Sequence, residues 1–288
     1  MRQRLTSAAV LVPAVVIAYL AGPVVIWLAV AALAALAGFE AAELLRRAGW
    51  PAFRWLAALL ATLAVLALPL LGLPPTGFGP FYNDRWLFIA PGIATLMIAP
   101  AMAAVLVRDP RQGFAAWLGT AFAALYAGLL AFAAALAAWG VPLGEASQIE
   151  QLLGSGRVWL LALVLTVWSL DSAAYVVGRY MPRGAFFNHI SPNKTWSGAI
   201  GGSVVGIAVC SAVLVFGLGL DVIRAEIIGV AVVIAAQAGD LAESMLKRAA
   251  GAKDSGSLIP GHGGILDRVD SFLFAAPVVF GYLVIVAS

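Results

Sequence analysis

Residues 244–271 read SMLKRAAGAKDSGSLIPGHGGILDRVDS and separate two strongly apolar runs, residues 225–246 and 270–287. The stretch carries four basic residues, three acids and a histidine, although only 11% of the chain is charged. Each flanking run is close to the length that a helix needs to cross roughly 30 Å of hydrocarbon. The stretch therefore predicts a polar loop at a membrane surface, held between two membrane-spanning helices.

The composition of the whole chain indicates the same class. Of 288 residues, 63% are hydrophobic, and the mean hydropathy is +1.00. Soluble proteins carry about a quarter charged residues, so a soluble fold is excluded. The single cysteine, Cys210, lies in an apolar run, so neither a disulfide framework nor a cysteine metal cluster is expected. The predicted fold is all-α, a polytopic transmembrane helical bundle.

Charged residues, prolines and glycines divide the chain into nine candidate spans, the first of which follows the basic start MRQR. The spans cover residues 5–21, 23–39, 54–73, 86–107, 113–140, 157–178, 196–219, 225–246 and 270–287. With a cytoplasmic N-terminus, 14 of the 17 Lys and Arg residues lie inside, which satisfies the positive-inside rule and places the C-terminus on the far side. We predict a transmembrane scaffold over residues 1–156 and a catalytic region over residues 157–288.

Acidic residues within the last spans predict a functional site, because an intramembrane carboxylate is costly. Asp240, Glu243, Ser244 and Lys247 recur at helical spacing, so they share one face of a helix. Asp267 and Asp270 are three residues apart and project in one direction if a helix starts near Ile265. Two carboxylates there suit a hard divalent cation such as Mg²⁺, which commonly shares its ligand shell with substrate phosphates.

The sequence GHGG, residues 261–264, lies just before these last two acids. Its glycines permit close approach of backbone N–H groups to an anion. Positive charge surrounds it, from Lys247, Arg248, Lys253 and Arg268. Acids for a metal, glycines and basic residues are the parts that phosphoryl-type transfer requires, so the loop predicts a polyphosphate site.

A second polar stretch, residues 171–198, lies on the same predicted side of the membrane. Asp171, Tyr175 and Gly178 share a helix face, and the sequence SPNKT forms a turn that presents Lys194 just before the seventh span. Lys194 is therefore a candidate phosphate ligand.

Together these motifs resemble the phosphatidate cytidylyltransferases, or CDP-diacylglycerol synthases. The family signature S-x-φ-K-R-x4-K-D-x-small-x2-φ-P-x-H-G-G-φ-x-D-R-φ-D, where φ is apolar, is satisfied at every specified position from Ser244 to Asp270. The resemblance extends through DSAAYVVGR and SPNKT. Two positions depart from the family pattern: Ser197 replaces a glutamate, and Pro182 with Arg183 replaces a Gly-Lys pair.

The resemblance implies that the phosphate of phosphatidic acid attacks the α-phosphorus of CTP, giving CDP-diacylglycerol and pyrophosphate. It implies Mg²⁺ held by Asp240, Asp267 and Asp270, and leaves a second cation open. Lys253 and these three aspartates are the implied catalytic residues. The implied substrate-binding residues are Asp171, Tyr175, Lys194, Ser244, Lys247, Arg248, Asp254, His262, Gly263, Gly264 and Arg268, with His262 positioning substrate rather than removing a proton.

CTP, phosphatidic acid and membrane lipids are the expected partners, nucleic acid is not, and a homodimer is left open. The expected location is the bacterial cytoplasmic membrane, with the active site facing the cytoplasm. Two alternatives are an ion-coupled transporter using Asp171 and Asp240 and a CTP-dependent lipid kinase, which would release CDP instead of pyrophosphate. A CDP-alcohol phosphotransferase is disfavoured, because its characteristic motif DG-x2-AR-x8-G-x3-D-x3-D is absent.

Overall fold

The computed structural model describes residue 13 and residues 15–70, 86–138, 147–259 and 263–287. Within these residues the chain is helical, with two isolated β-bridges and no longer strand. The labelled helices are α1 (Pro23–Arg47), α2 (Arg54–Leu70), α3 (Trp86–Val105), α4 (Pro110–Gly128), α5 (Ala131–Ala138), α6 (Gln148–Leu153), α7 (Ser155–Tyr180), α8 (Trp196–Leu218), α9 (Val222–Ala249) and α10 (Leu266–Ala287). The predicted fold class, a polytopic helical membrane protein, is confirmed.

Among the residues that the structure describes, six segments are long and apolar enough to cross a membrane: Pro23–Arg47, Pro110–Ala138, Ser155–Tyr180, Trp196–Leu218, Val222–Ala249 and Leu266–Val286. Each overlaps a predicted span. The helices Arg54–Ala67 and Gly92–Val105 are shorter apolar segments within two more of the predicted spans. Most of the first predicted span lies outside the described residues, so the total of nine spans and the side of each terminus stay predictions.

One predicted helix end is wrong. The second span was expected to end at residue 39, but α1 continues to Arg47. Its last two turns remain helical because Ala41, Ala42 and Leu44 are buried while Glu43, Arg46 and Arg47 lie on the other face. The fifth predicted span is supported by Pro110–Ala138, which is one candidate membrane span although a turn at residues 129–130 separates α4 from α5.

The chain forms two compact units that are not consecutive in sequence. Unit 1 comprises residues 1–135 and 246–269, and unit 2 comprises residues 136–245 and 270–288. The charged loop between α9 and α10 thus belongs to the same unit as the N-terminal helices. The functional division predicted at residue 156 is a different distinction and stays a prediction.

Small residues let the helices of unit 1 approach closely. A Cβ on Gly38 of α1 would lie 3.1 Å from the carbonyl oxygen of Ala57 in α2, and Ala34, Ala37 and Ala41 are fully buried. The Trp27 indole N–H donates to the Val65 carbonyl oxygen at 2.8 Å. Close approach and hydrogen bonding hold membrane helices together where hydrophobicity cannot, so α1 is firmly placed.

Glycines also let the helices of unit 2 approach closely. On α8, a Cβ at Gly202 would lie 2.7 Å from the carbonyl oxygen of Leu170 in α7, and one at Gly198 would lie 2.8 Å from that of Ala174. On α9, a Cβ at Gly239 would lie 2.5 Å from the carbonyl oxygen of Asp270 in α10. These contacts pack α8 against α7 and α9 against α10 within unit 2.

Candidate active site

In unit 1, the charged loop is built around an ion pair between Lys247 and Asp267. The Lys247 ammonium lies 2.6 Å from Asp267 Oδ1, and the two side chains are only 12% and 7% exposed. Lys247 comes from the last turns of α9 and Asp267 from the first turn of α10. The predicted start of this helix near Ile265 is therefore confirmed.

The second oxygen of Asp267 organises the loop between these helices. Oδ2 accepts hydrogen bonds from the backbone N–H and the hydroxyl of Ser255, both at 2.8 Å, and from the backbone N–H of Gly264 at 2.8 Å. With the Lys247 contact, both carboxylate oxygens are engaged. This carboxylate is rigidly held, and the side chain of Lys247 is held with it.

Gly263 and Gly264 accommodate carboxylates that belong to the chain itself. Gly263 has a φ of +80°, and a Cβ there would lie 2.6 Å from Asp267 Oδ2. A Cβ on Gly264 would overlap the Ser255 hydroxyl and the carboxylate of Glu40. The sequence predicted that these glycines admit an anion; in the structure, Asp267 and Glu40 are anions that they admit.

Glu40 of α1 is a part of this cluster that the sequence analysis missed. It is 4% exposed and accepts hydrogen bonds from the backbone N–H groups of Ile265 and Leu266, and its Oε2 lies 3.0 Å from the Ser255 hydroxyl oxygen. The only sequence signal was an acid placed directly after an apolar run, and Glu43 carries the same signal. Ser255 was missed too, because it occupies an unspecified position of the signature.

The remaining signature residues of unit 1 are exposed. Lys253, Asp254, Arg248 and Arg268 lie at the surface, and the Arg248 guanidinium donates to the carbonyl oxygen of Ala252 at 3.1 Å. The charges of these exposed basic side chains, which follow or precede the rigid Lys247-Asp267 pair in sequence, are accessible to an anionic ligand from solvent. His262 lies outside the described residues.

Unit 2 contains the second predicted group of residues, around a cavity of about 440 Å³. Asp171, Tyr175 and Gly178 line it from α7, as their predicted common face requires. Lys194 and Asp240 line it as well, and their side chains form a 2.5 Å ion pair that is 27% and 30% exposed. Unlike the pair in unit 1, this one borders open space.

The entry to α8 presents Lys194 as predicted. The turn before the helix has a hydrogen bond from Lys194 N–H to the carbonyl oxygen of Ser191, and the Thr195 hydroxyl caps α8 by accepting from Gly198 N–H at 3.1 Å. The cavity-lining Tyr175 hydroxyl accepts from the Arg179 guanidinium at 3.1 Å. A lysine on a capped, ordered turn is well placed to hold an anion in this cavity.

Ser244 and Asp270 complete the predicted residues of unit 2. The buried Ser244 hydroxyl lies 3.5 Å from Asp240 Oδ1, one turn away along α9. Asp270 Oδ1 accepts from the backbone N–H of Ser271 at 2.7 Å, and its backbone packs against Gly239. Asp270 is therefore near the residue that precedes Asp240, whereas only Asp240 lines the cavity.

Two of the described carboxylates are arranged to suit a divalent cation. In the part of the chain that the structure describes, no three His, Cys, Asp or Glu side chains converge as a metal site. Mg²⁺ usually needs only one or two carboxylates, with phosphates and water supplying the rest. Asp240 and Asp171, which line one cavity, fit that requirement, whereas both Asp267 oxygens are already engaged.

The two departures from the family pattern contact each other. The Ser197 hydroxyl donates to the carbonyl oxygen of Met181 at 2.6 Å and accepts from the backbone N–H of Arg183 at 3.1 Å. Ser197 N–H also donates to the carbonyl oxygen of Arg183. The two substitutions thus form one hydrogen-bonded unit that joins the end of α7 to the start of α8.

Comparison with known proteins finds one matching family model and several similar bacterial proteins. A family model described as "Cytidylyltransferase family" matches residues 2–286. A Bacillus subtilis protein named phosphatidate cytidylyltransferase is 40% identical over 134 residues, which cover 46% of this chain and 50% of that protein. Proteins of the same name from Brucella suis and Staphylococcus haemolyticus are 46% and 42% identical over 43% of this chain, and 46% and 48% of their own lengths. These alignments span about half the length of the curated relatives.

Proposed function

Because this chain belongs to the cytidylyltransferase family, as its signature predicted, we propose that it transfers a cytidylyl group from CTP to phosphatidic acid. A phosphate oxygen of phosphatidic acid forms a bond to the α-phosphorus of CTP. The bond from that phosphorus to the bridging α,β-oxygen breaks, and pyrophosphate leaves with the electron pair. The products are CDP-diacylglycerol and pyrophosphate. The printed name of the curated relatives supports the proposal.

One observation on this chain's own residues supports the proposal. The signature from Ser244 to Asp270 contains an ordered Lys247-Asp267 pair whose surroundings are exposed cations. Transfer at phosphorus is accelerated mainly by positioning and charge neutralisation, not by covalent chemistry. A rigid frame with accessible basic side chains is what that chemistry needs.

In unit 1, we assign Lys253, Arg248 and Arg268 to substrate phosphates, with Asp254, Gly263 and Gly264 shaping their surroundings. Their exposure leaves their charges accessible to a soluble nucleotide. Lys247 presents its ammonium in a direction set by Asp267. Phosphatidic acid is anionic near neutral pH, so His262 is assigned to positioning and no strong base is required.

In unit 2, the cavity supplies a second set of ligands. The Lys194 ammonium has three donors, and its contact with Asp240 leaves others for a phosphate oxygen. Tyr175 and Asp171 line the same cavity and are assigned to substrate positioning, with Ser244 behind Asp240. This partly exposed ion pair costs less to rearrange than a buried one, so this site can exchange its internal partner for a ligand.

Mg²⁺ is proposed as the cofactor. In unit 2, Asp240 and Asp171 line the same cavity and would hold it, whereas Asp270, the other ligand that the resemblance implied there, does not line that cavity. For Asp267 the same role requires release of Lys247, because both of its oxygens are engaged. When bound, Mg²⁺ would neutralise part of the triphosphate charge and leave the lysines and arginines to orient the phosphates.

The protein is an integral membrane protein, and we propose the bacterial cytoplasmic membrane with the charged loop in the cytoplasm. The basic-residue asymmetry and the bacterial relatives support this location. Single cysteines at Ser257 and Leu152, both exposed, introduced into a Cys210→Ala background, test it. We expect an impermeant thiol reagent to label residue 257 only from the cytoplasmic side and residue 152 only from the other; labelling from one common side would contradict the nine-span topology.

Purified protein in detergent–lipid micelles, given CTP, phosphatidic acid and Mg²⁺, tests the activity. We expect CDP-diacylglycerol and pyrophosphate in equal amounts, and none without Mg²⁺. Release of CDP with phosphorylated lipid would identify a lipid kinase, and no CTP consumption would favour the transporter alternative. Arg224→Ala, which removes an exposed ion pair with Asp221 far along α9 from the signature, is the control for nonspecific charge loss. Light scattering of the purified protein tests the homodimer.

A further inference from the structure

We propose that Glu40 is a positioning residue for the proposed reaction: it fixes loop residues 255–256 and 264–265 and the first turn of α10, and through them the Lys247-Asp267 pair. This inference rests on the proposed function for its kinetic consequence. It concerns a residue outside the signature, supplied by a helix more than 200 positions away in the sequence.

Glu40 satisfies backbone groups that the start of α10 leaves without helical partners. Its Oε1 accepts from Ile265 N–H at 3.1 Å, and its Oε2 accepts from Leu266 N–H at 2.8 Å. The first N–H groups of any helix lack intrahelical acceptors, and a carboxylate there also interacts favourably with the positive end of the helix dipole. Glu40 therefore caps α10 from a different helix, at a site that water does not reach.

The loop is shaped to close around this carboxylate. A Cβ on Gly256 would overlap Glu40 Oε1, and a Cβ on Gly264 would overlap both Glu40 oxygens. Glycine at these two positions lets the two ends of the loop contact the same carboxylate. This close contact with Glu40 explains why the signature specifies a small residue at position 256.

Ser255 connects Glu40 to Asp267. Its hydroxyl lies 3.0 Å from Glu40 Oε2 and 2.8 Å from Asp267 Oδ2, and it also accepts from Asp267 N–H at 3.3 Å. The hydroxyl has one proton to donate and is itself buried. A shift of Glu40 is thus transmitted to Asp267 through a single side chain, and from Asp267 to Lys247.

Glu43 provides an internal comparison on the same helix. It lies one turn after Glu40, is partly exposed, and pairs with Arg46, Arg47 and Arg54 at 3.8, 3.4 and 3.1 Å. It has the same chemistry and sequence setting as Glu40 but a surface environment. Glu43→Gln is therefore the matched control for Glu40→Gln.

Glu40→Gln keeps the shape but converts one acceptor into a donor. Whichever way the amide turns, its NH₂ faces a backbone N–H, of Ile265 or of Leu266. A loop that is only fractionally in its competent form lowers apparent ligand affinity by that fraction, and bound ligand restores it. We expect KM for CTP to rise about tenfold, which corresponds to about a tenth of the loops being competent, and kcat to change by less than about threefold.

Two measurements test the proposal on the full-length protein in micelles. Hydrogen exchange of peptides covering residues 255–267 should be at least about tenfold faster in Glu40→Gln than in wild type, and unchanged in Glu43→Gln. Steady-state kinetics should give the KM increase in Glu40→Gln only. Ser255→Ala, which keeps the cap but removes the link to Asp267, should raise KM less and provides a second variant if Glu40→Gln fails to fold.

A fall in apparent kcat with unchanged KM and unchanged exchange would assign Glu40 to general stability and overturn the proposal. Exchange as slow as wild type in both Glu40→Gln and Ser255→Ala would overturn it too. If wild-type protein makes no CDP-diacylglycerol, the proposed function fails, whereas the exchange measurement still decides whether Glu40 holds the loop.

Discussion

The two units each contain a lysine–aspartate ion pair. The pairs have the same chemistry but differ in burial and in the hydrogen bonds around them. Lys247 and Asp267 in unit 1 are 12% and 7% exposed, and Asp267 has three further hydrogen-bond donors on its other oxygen. Lys194 and Asp240 in unit 2 are 27% and 30% exposed and border a cavity. The first pair is embedded in a network that fixes a loop, and the second is available to a ligand.

The difference matters because burial changes what an ion pair does. Removing one partner of a buried pair leaves a desolvated charge, which costs several kcal/mol. An exposed pair contributes about 1 kcal/mol or less, so it can open at little cost. We therefore expect unit 1 variants to change both stability and activity, and unit 2 variants to change mainly activity.

The largest effect is expected for Asp267→Asn. The amide cannot balance the buried Lys247 ammonium, and its NH₂ cannot accept from the loop N–H groups, so the free energy of unfolding should fall by about 3 kcal/mol. Turnover should fall below detection because the loop and Lys247 lose their alignment. Thermal unfolding and product formation check both effects, with Asp221→Asn in an exposed pair as the control. Near-normal activity at saturating Mg²⁺ would remove Asp267 from the site.

A loss of about a hundredfold in kcat is expected for Lys253→Ala, the size typical for a positioned charge at a reacting group. Because Lys253 is exposed, its removal should leave the melting temperature unchanged. Lys253→Arg should restore the rate only in part, since the planar guanidinium donates in other directions. Full rescue by arginine, measured at saturating CTP and phosphatidic acid, would reassign Lys253 to surface anchoring.

A smaller effect, about tenfold in kcat/KM, is expected for Lys194→Met, which removes a phosphate ligand from the cavity. The free energy of unfolding should change by less than about 1 kcal/mol, because the lost pair is partly exposed. The double variant with Asp240→Asn measures the coupling between the two side chains. A stability loss as large as that of Asp267→Asn would abolish the distinction between the two pairs.

The smallest effect is expected at Glu150 of α6. Its carboxylate is buried, as that of Asp267 is, but no lysine among the described residues pairs with it as Lys247 does with Asp267 and Lys194 does with Asp240. Among the described residues, Oε2 has no hydrogen-bond partner, and burial raises the pKa of this carboxyl above its ordinary value. The folded state then binds a proton more tightly than the unfolded state, so stability falls as pH rises from the unfolded-state pKa through the folded-state pKa. Glu150→Gln should remove this penalty, raising the free energy of unfolding by about 1 kcal/mol or less at pH 7, seen as a slightly higher melting temperature, with no gain at pH 4. Unchanged melting at both pH values would contradict it.

Local periodicity was sufficient for features within one element. Asp171, Tyr175 and Gly178 line one cavity because residues at spacings of three and four share a helix face. The turn that presents Lys194 and the helix start near Ile265 follow from neighbouring residues as well. Helix ends were less predictable: α1 passes its expected end because tertiary burial of one face continues beyond the apolar run.

The amino-acid sequence by itself determined the helical membrane class, the location of the polar loop and the family, because hydrocarbon forces backbone groups into helices and the signature is dense in specified polar residues. Only the tertiary structure decided which charges pair. Lys247 meets Asp267 across 20 residues, Lys194 meets Asp240 across 46, and Glu40 reaches Leu266 across 226. No local pattern encodes such contacts, because they depend on which helices pack together and which carboxylates that packing removes from water.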